Sequence, residues 1–113
     1  MATLSINTRA HGNASIVTVD GRVDSETAPD LDSALSKLLA NANNKIVLNL
    51  QGVDYFSSAG LRALVKALKS AQGSGGDLRL ASVSQPIEVI LRTVGMMQMF
   101  KMFPTSEEAA AGF

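Results

Sequence analysis

Two adjacent hydroxyls, Ser57 and Ser58, stand where an apolar stretch ends and a helical pattern begins, within Val53-Asp54-Tyr55-Phe56-Ser57-Ser58-Ala59-Gly60-Leu61-Arg62. Either serine suits an N-cap, where a hydroxyl oxygen accepts a backbone N–H that the helix cannot satisfy itself. That position has a structural reading, a plain cap, and a chemical one. The positive end of a helix dipole favours an anion, so a phosphate added to a serine there is tolerated by the fold while it changes the surface charge. Gly60 falls in the first helical turn, where alanine has the better propensity, and its presence suggests close approach of a partner or of neighbouring backbone.

Other chemistry is poorly supplied. Asp54 lies shortly before Ser58, but a lone carboxylate is a poor base for a serine hydroxyl at neutral pH. The single histidine, His11, sits in the polar stretch Arg9-Ala10-His11-Gly12-Asn13, which reads as a turn with no second ligand nearby. Cysteine is absent, which removes disulfides and thiolate chemistry and fits a reducing compartment. Gln72-Gly73-Ser74-Gly75-Gly76-Asp77 is glycine-rich but lacks the Gly-Lys-Ser/Thr ending of a phosphate cradle, and it follows a helix instead of preceding one. It reads as a helix C-cap and loop. These observations favour a protein that is no enzyme, with no catalytic residues, no metal site and no cofactor.

Ten basic and ten acidic residues cancel, and no basic stripe is interleaved with aromatics, which argues against nucleic acid as a partner. The N-terminus has no signal architecture, and no apolar run approaches a membrane-spanning length. The expectation is a cytoplasmic protein without a membrane partner. Its 113 residues suit one domain, 1–113, with one core of ordinary stability.

The elements that must position the serines follow from periodicity. Leu4 and Ile6 alternate with polar residues as a half-buried strand, and Ile16-Val17-Thr18-Val19 returns as a second, antiparallel one. Thr27 is expected as N-cap of a helix with Pro29 and Asp30 in its first turn and a buried stripe of Leu31, Leu35, Leu38, Leu39 and Ala42. Ile46-Val47-Leu48-Asn49-Leu50 reads as a strand covered on both faces. Leu61, Leu64, Val65 and Leu68 recur at helical spacing, with Arg62, Lys66 and Lys69 on the other face. Leu78 to Val83 is the next strand, and Ser84-Gln85-Pro86 opens a helix that Gly95 stops. Met96 to Phe103, with four methionines and two phenylalanines, has two readings: an adaptable partner surface, or core filling with a short last strand around Phe100 to Phe103. Thr105 to Ala111 reads as a capped, acidic-first helix prone to fraying. Strands alternating with helices predict an α/β fold, a mixed sheet of four to five strands with a parallel centre, packed against about four helices. In such sheets function sits outside the C-terminal ends of the parallel strands, where the Asp54 to Gly60 turn falls.

The ten residues around the serines resemble the signature of the STAS domain of bacterial anti-sigma factor antagonists, commonly Asp-Ser-Ser-Gly-Leu or Asp-Ser-Thr-Gly-Leu at the start of the second helix. The resemblance extends over nearly the whole chain, with Gly21, Asp24, Pro29, Leu31 and Asp54 at family-like places. Ser57 stands where the family often has Asp, and Ala59 where it often has Ser or Thr. Matched residue by residue, Ser58 falls on the phospho-acceptor, with Ser57 as the alternative. The resemblance implies that the loop carrying Asp24 lies beside this turn, and that Asp24, Asp54, Ser57, Ser58, Ala59, Gly60 and Arg62 form the partner surface. It further implies that the unmodified protein binds an anti-sigma factor serine/threonine kinase and frees a sigma factor. Phosphorylation then ends the binding, and a PP2C-type, metal-dependent phosphatase restores it. The alternative is a stand-alone STAS interaction module of a transport or sensor complex.

Overall fold

A computed structural model of the chain describes residues 4–111 and 113. The N-terminal alternation forms a hairpin in which β1 (Ser5–His11) runs antiparallel to β2 (Ala14–Val23). Gly12, at φ 60°, begins a turn short enough for His11 to pair with Ala14. The turn expected over Arg9 to Asn13 is thus shorter than predicted, and His11 is a strand residue.

Three crossovers follow: α1 (Ala28–Ala40) to β3 (Lys45–Phe56), α2 (Ser58–Gly73) to β4 (Asp77–Ala81), and α3 (Gln85–Thr93) to β5 (Met102–Phe103). A short α4 (Ser106–Ala111) ends the chain's described helices. The five strands lie side by side in chain order, β1-β2-β3-β4-β5, parallel from β2 onward. This is the mixed sheet with a parallel centre and four helices expected from the alternation of elements.

Because each crossover steps in the same direction across the sheet, the right-handed rule puts α1, α2 and α3 on one face. The sheet's alternation then sorts its side chains. Val17, Val19, Ile46, Leu48, Leu50, Leu78 and Leu80 point towards those helices and meet Leu31, Leu35, Leu64, Leu68, Ile87 and Leu91 in the main core. Each such side chain taken fully out of water contributes about 1.5–3 kcal/mol. On the other face Ala14, Ile16, Val47 and Ala81 are covered by Ala109 and Ala110 of α4. The C-terminal helix expected to fray is therefore the cover of a second, smaller core.

Several boundaries differ from expectation. β3 runs to Phe56, well past Leu50, because β2 accompanies it through two register irregularities, with Val53 and Phe56 still buried. Ala42 lies beyond α1 and is exposed. It sits at φ 63°, with its N–H bonded to Leu39 O and the Asn43 N–H bonded to Leu38 O. That is a Schellman closure with alanine in the left-handed position usually held by glycine. Leu38 and Leu39 are half-buried. Of the methionine-rich stretch, Phe100 is buried and Met96, Met97 and Met102 pack on the main core, while Met99 stays exposed.

Candidate functional site

The site is assembled at the C-terminal ends of β2 and β3. The Ser57 N–H donates to Val23 O at 2.8 Å, so the loop leaving β2 is tied directly to the turn that opens α2. Asp24, the next residue, therefore lies beside the serine turn. Its carboxylate accepts the backbone N–H groups of Glu26 at 2.9 Å and Thr27 at 3.1 Å. These bonds, the one from Thr27 first, hold the Asp24 carboxyl below the ordinary carboxylate value. Thr27 holds the N-cap position expected of it, but not with its side chain. Thr27 makes no side-chain cap bond to α1; its buried hydroxyl donates to Arg22 O at 2.7 Å and accepts the Asp24 N–H at 2.9 Å. Asp24 and Thr27 satisfy each other in a reciprocal box that fixes the loop.

The two serines have different surroundings. Ser57 is the N-cap of α2: extended at φ −81° and ψ 172°, its Oγ accepts the Gly60 N–H at 3.3 Å. It is half-buried and occupied. Ser58 is the first residue of the helix, exposed, and its hydroxyl makes no hydrogen bond among the described residues. The turn thus holds a cap at Ser57 and an exposed, unbonded hydroxyl at Ser58. The first turn of α2 contains no acidic residue, and Arg62, one turn on from Ser58, is exposed. The helix dipole and Arg62 bring positive charge to the start of α2, and the Asp24 carboxylate on the adjoining loop brings a negative one.

Gly60 is turned inward. A Cβ there would lie 2.6 Å from Val23 Cγ1 and 2.8 Å from Phe56 Cδ1, both on buried side chains. What approaches Gly60 closely is therefore the chain's own core, so the reason for a glycine is internal packing, and Gly60 offers a partner no exposed side chain. Ala59 is half-buried, packed on the main core. Together with Arg62 it lines an open groove of about 280 Å³ between the starts of α1 and α2, with Ser25 and Ala28 on its other side. Asp54 faces elsewhere. It is exposed on a neighbouring depression of about 560 Å³ with Arg22, Gly52 and Ser84. The Arg22 guanidinium, not singled out by its sequence pattern, stacks 4.0 Å from the Tyr55 ring centre and approaches Asp24 at 3.8 Å. Its place two residues before Asp24, at the end of β2, is the sequence signal that could have found it.

His11 lies at the opposite end of the sheet, at the N-terminal end of β2, where it pairs with Ala14. No imidazole stands by either serine. Among the described residues no three His, Cys, Asp or Glu side chains cluster to hold a metal, and no helix is long and apolar enough to cross a membrane. The arrangement presents one exposed, unbonded hydroxyl at a helix start with no base beside it among the described residues.

Comparison with known proteins gives concordant results. The family model described as "STAS domain" matches residues 5–109. BtrV of Bordetella bronchiseptica, provisionally named an anti-sigma factor antagonist, is 30% identical over 87% of this chain and 84% of its own. The anti-sigma-B factor antagonist of Staphylococcus aureus is 28% identical, covering 85% of this chain and 89% of its own. Among solved structures, an anti-sigma factor antagonist from Mycobacterium paratuberculosis superposes with a TM-score of 0.87 at 23% identity, over 97% of this chain and 93% of that one.

Proposed function

The chain belongs to the STAS domain family, and on that premise we propose that it is an anti-sigma factor antagonist switched by phosphorylation of Ser58. The observation that carries the proposal is the division of labour between the serines: Ser57 is committed to capping α2, whereas the Ser58 hydroxyl is exposed and unbonded at the same helix start. The relatives named as antagonists support the class of partner.

In this account the unmodified protein acts in the cytoplasm and binds an anti-sigma factor that is also a serine/threonine kinase, thereby freeing a sigma factor. The contact lies on the Asp24 loop and the start of α2, with Ala59 and Arg62 in their shared groove, and extends to Asp54 on the neighbouring depression beside Arg22. The kinase transfers a phosphoryl group to Ser58 Oγ. A PP2C-type phosphatase removes it. The protein itself is the substrate in both steps and supplies no catalysis.

The phosphate adds close to two negative charges at neutral pH. Free N–H groups at the start of α2 and the Arg62 side chain accommodate it without refolding. Its effect is therefore exerted at the interface, where an added, desolvated charge opposes the partner; a loss of about 3 kcal/mol already weakens affinity more than a hundredfold. The test is binding to the cognate anti-sigma kinase by calorimetry. Ser58→Asp should keep the wild-type circular dichroism and melting temperature but bind at least about a hundredfold more weakly, while Ser58→Ala binds and is not released by ATP. Phosphopeptide mapping to Ser57, or equal binding by the Ser58→Asp variant, would overturn the proposal.

A further inference from the structure

The exposed side of α2 carries a charge pattern that runs on from Arg62 beyond the Ser58 switch. The helix Ser58–Gly73 contains Arg62, Lys66 and Lys69 and no acidic residue, in a chain whose ten basic and ten acidic residues cancel overall. Elsewhere several cations are answered, Arg9 by Glu107, Arg92 by Glu88 and Lys101 by Asp77, while Lys37 and Lys45 stand apart from one another on α1 and β3. On α2 only Lys66 is paired, with Asp32 of α1 at 3.1 Å; Arg62 and Lys69 meet no carboxylate among the described residues. The three cations recur at i, i+4 and i+7, one row spanning about 10 Å along the helix.

This row borders an open apolar groove of about 520 Å³ whose floor is Leu61, Val65 and Met96. Met96, from the methionine-rich stretch, supplies a thioether that adapts its shape to what lies against it. An apolar trough with cations along one edge is complementary to a helix bearing an apolar stripe flanked by Asp and Glu. The trough begins at Arg62, one turn from Ser58, and so continues the surface on which the proposed switch acts. We infer that the α2–Met96 groove docks an acidic amphipathic helix of a partner protein. The identification of that partner with the anti-sigma kinase rests on the function proposed above; the groove and its chemistry do not.

The inference makes Ser58 phosphorylation a change at the end of a positive track: two negative charges appear beside Arg62, where the acidic helix would enter. Steering along the track should weaken accordingly.

The experiment uses the whole chain, isotope-labelled, titrated with a synthetic helical peptide carrying leucines at i, i+3 and i+7 and glutamates along one flank. Its lysine-flanked counterpart is the control. The expected result is saturable shifts of residues 61 to 69 and of the Met96 methyl with the acidic peptide alone. Lys69→Glu, about 16 Å along the helix from Ser58, should weaken that binding about tenfold or more and flatten its salt dependence. Absence of shifts, equal binding of the lysine peptide, or binding to phosphatidylglycerol vesicles instead of the peptide would each overturn the inference. The same Lys69→Glu variant is then tested against the anti-sigma kinase. Peptide binding without any kinase binding by the wild type would refute the proposed function and leave the groove standing. Kinase binding lost in Ser58→Asp but unchanged in Lys69→Glu would refute the groove as the kinase's docking surface and leave the switch standing.

Discussion

Gly60 and Gly73 occupy the two ends of α2, and the same substitution should act with opposite sign at each. At Gly60 an added methyl lands 2.6 Å from Val23 Cγ1 and 2.8 Å from Phe56 Cδ1, against a comfortable carbon separation of about 3.5–4.0 Å. Neither neighbour yields easily. Val23 is β-branched and 0% exposed, and Phe56 is 3% exposed. Overpacking of this kind costs about 1–3 kcal/mol, offset in part by alanine's helix propensity, at most about 1 kcal/mol and less in a first turn. Gly60→Ala should therefore lose about 1–2 kcal/mol net. At Gly73 a Cβ meets nothing within 4 Å, so Gly73→Ala should gain about 0.4–1 kcal/mol from the stiffer unfolded chain. Urea unfolding with a common m-value, supported by thermal melts in which 1 kcal/mol moves the midpoint by roughly 4–8 °C, separates the pair. A Gly60→Ala variant as stable as wild type, or shifts of the same sign at both positions, would refute the claim that Gly60 is dictated by the core behind it.

Thr27→Val keeps the shape of a buried side chain but strips the hydroxyl bonded to Arg22 O and the Asp24 N–H; a loss of about 1–3 kcal/mol in urea unfolding is expected. Ala42 holds a left-handed φ of 63° in the open, so Ala42→Gly should stabilise by about 0.5–1 kcal/mol in the same assay, relief of strain exceeding the added chain entropy. For Asp24 the folded-state carboxyl lies below its ordinary value of 3.8. Its contribution is therefore complete above that value and lost as pH falls through the lower, folded one. The stability gap between wild type and Asp24→Ala should be constant from neutral pH to about pH 5 and close below about 3.8, and a carbon-detected titration should place the Asp24 midpoint below that value.

Much of this architecture is legible from periodicity alone. Alternation in the first strand, the apolar run at Ile46 to Leu50 and the leucines of α2 each announce their element, because each buries one face or both. The start of α2 is legible too, since only a short polar residue satisfies the first free N–H groups. What periodicity hides is set by contacts distant in sequence. The end of β3 looks polar at Gln51, Gly52 and Asp54, yet pairing with β2 carries the strand to Phe56. Thr27 and Asp24 are both capping residue types, and only the Arg22 carbonyl, placed by the loop's path, decides that the threonine faces backwards. Gly60 is ambiguous between partner and core until Val23 is seen behind it. The alanines of α4 carry no amphipathic signal strong enough to reveal that they close the second face of the sheet.

The agreement between strand order and chain order has a consequence for how the molecule assembles during synthesis. Each strand from β2 onward joins the edge left by the strand before it, so no strand emerging from a ribosome must wait for a later one to fill a gap between itself and its predecessor. Loop-closure entropy is met in short instalments, one crossover at a time. Each new strand adds at the edge opposite β1, and β5, only two residues long, pairs with Leu80 and Ala81 at the end of β4. The fold can thus be laid down from its first hairpin to its last helix in the order of translation, with α4 arriving last to cover the face that the three crossover helices leave bare.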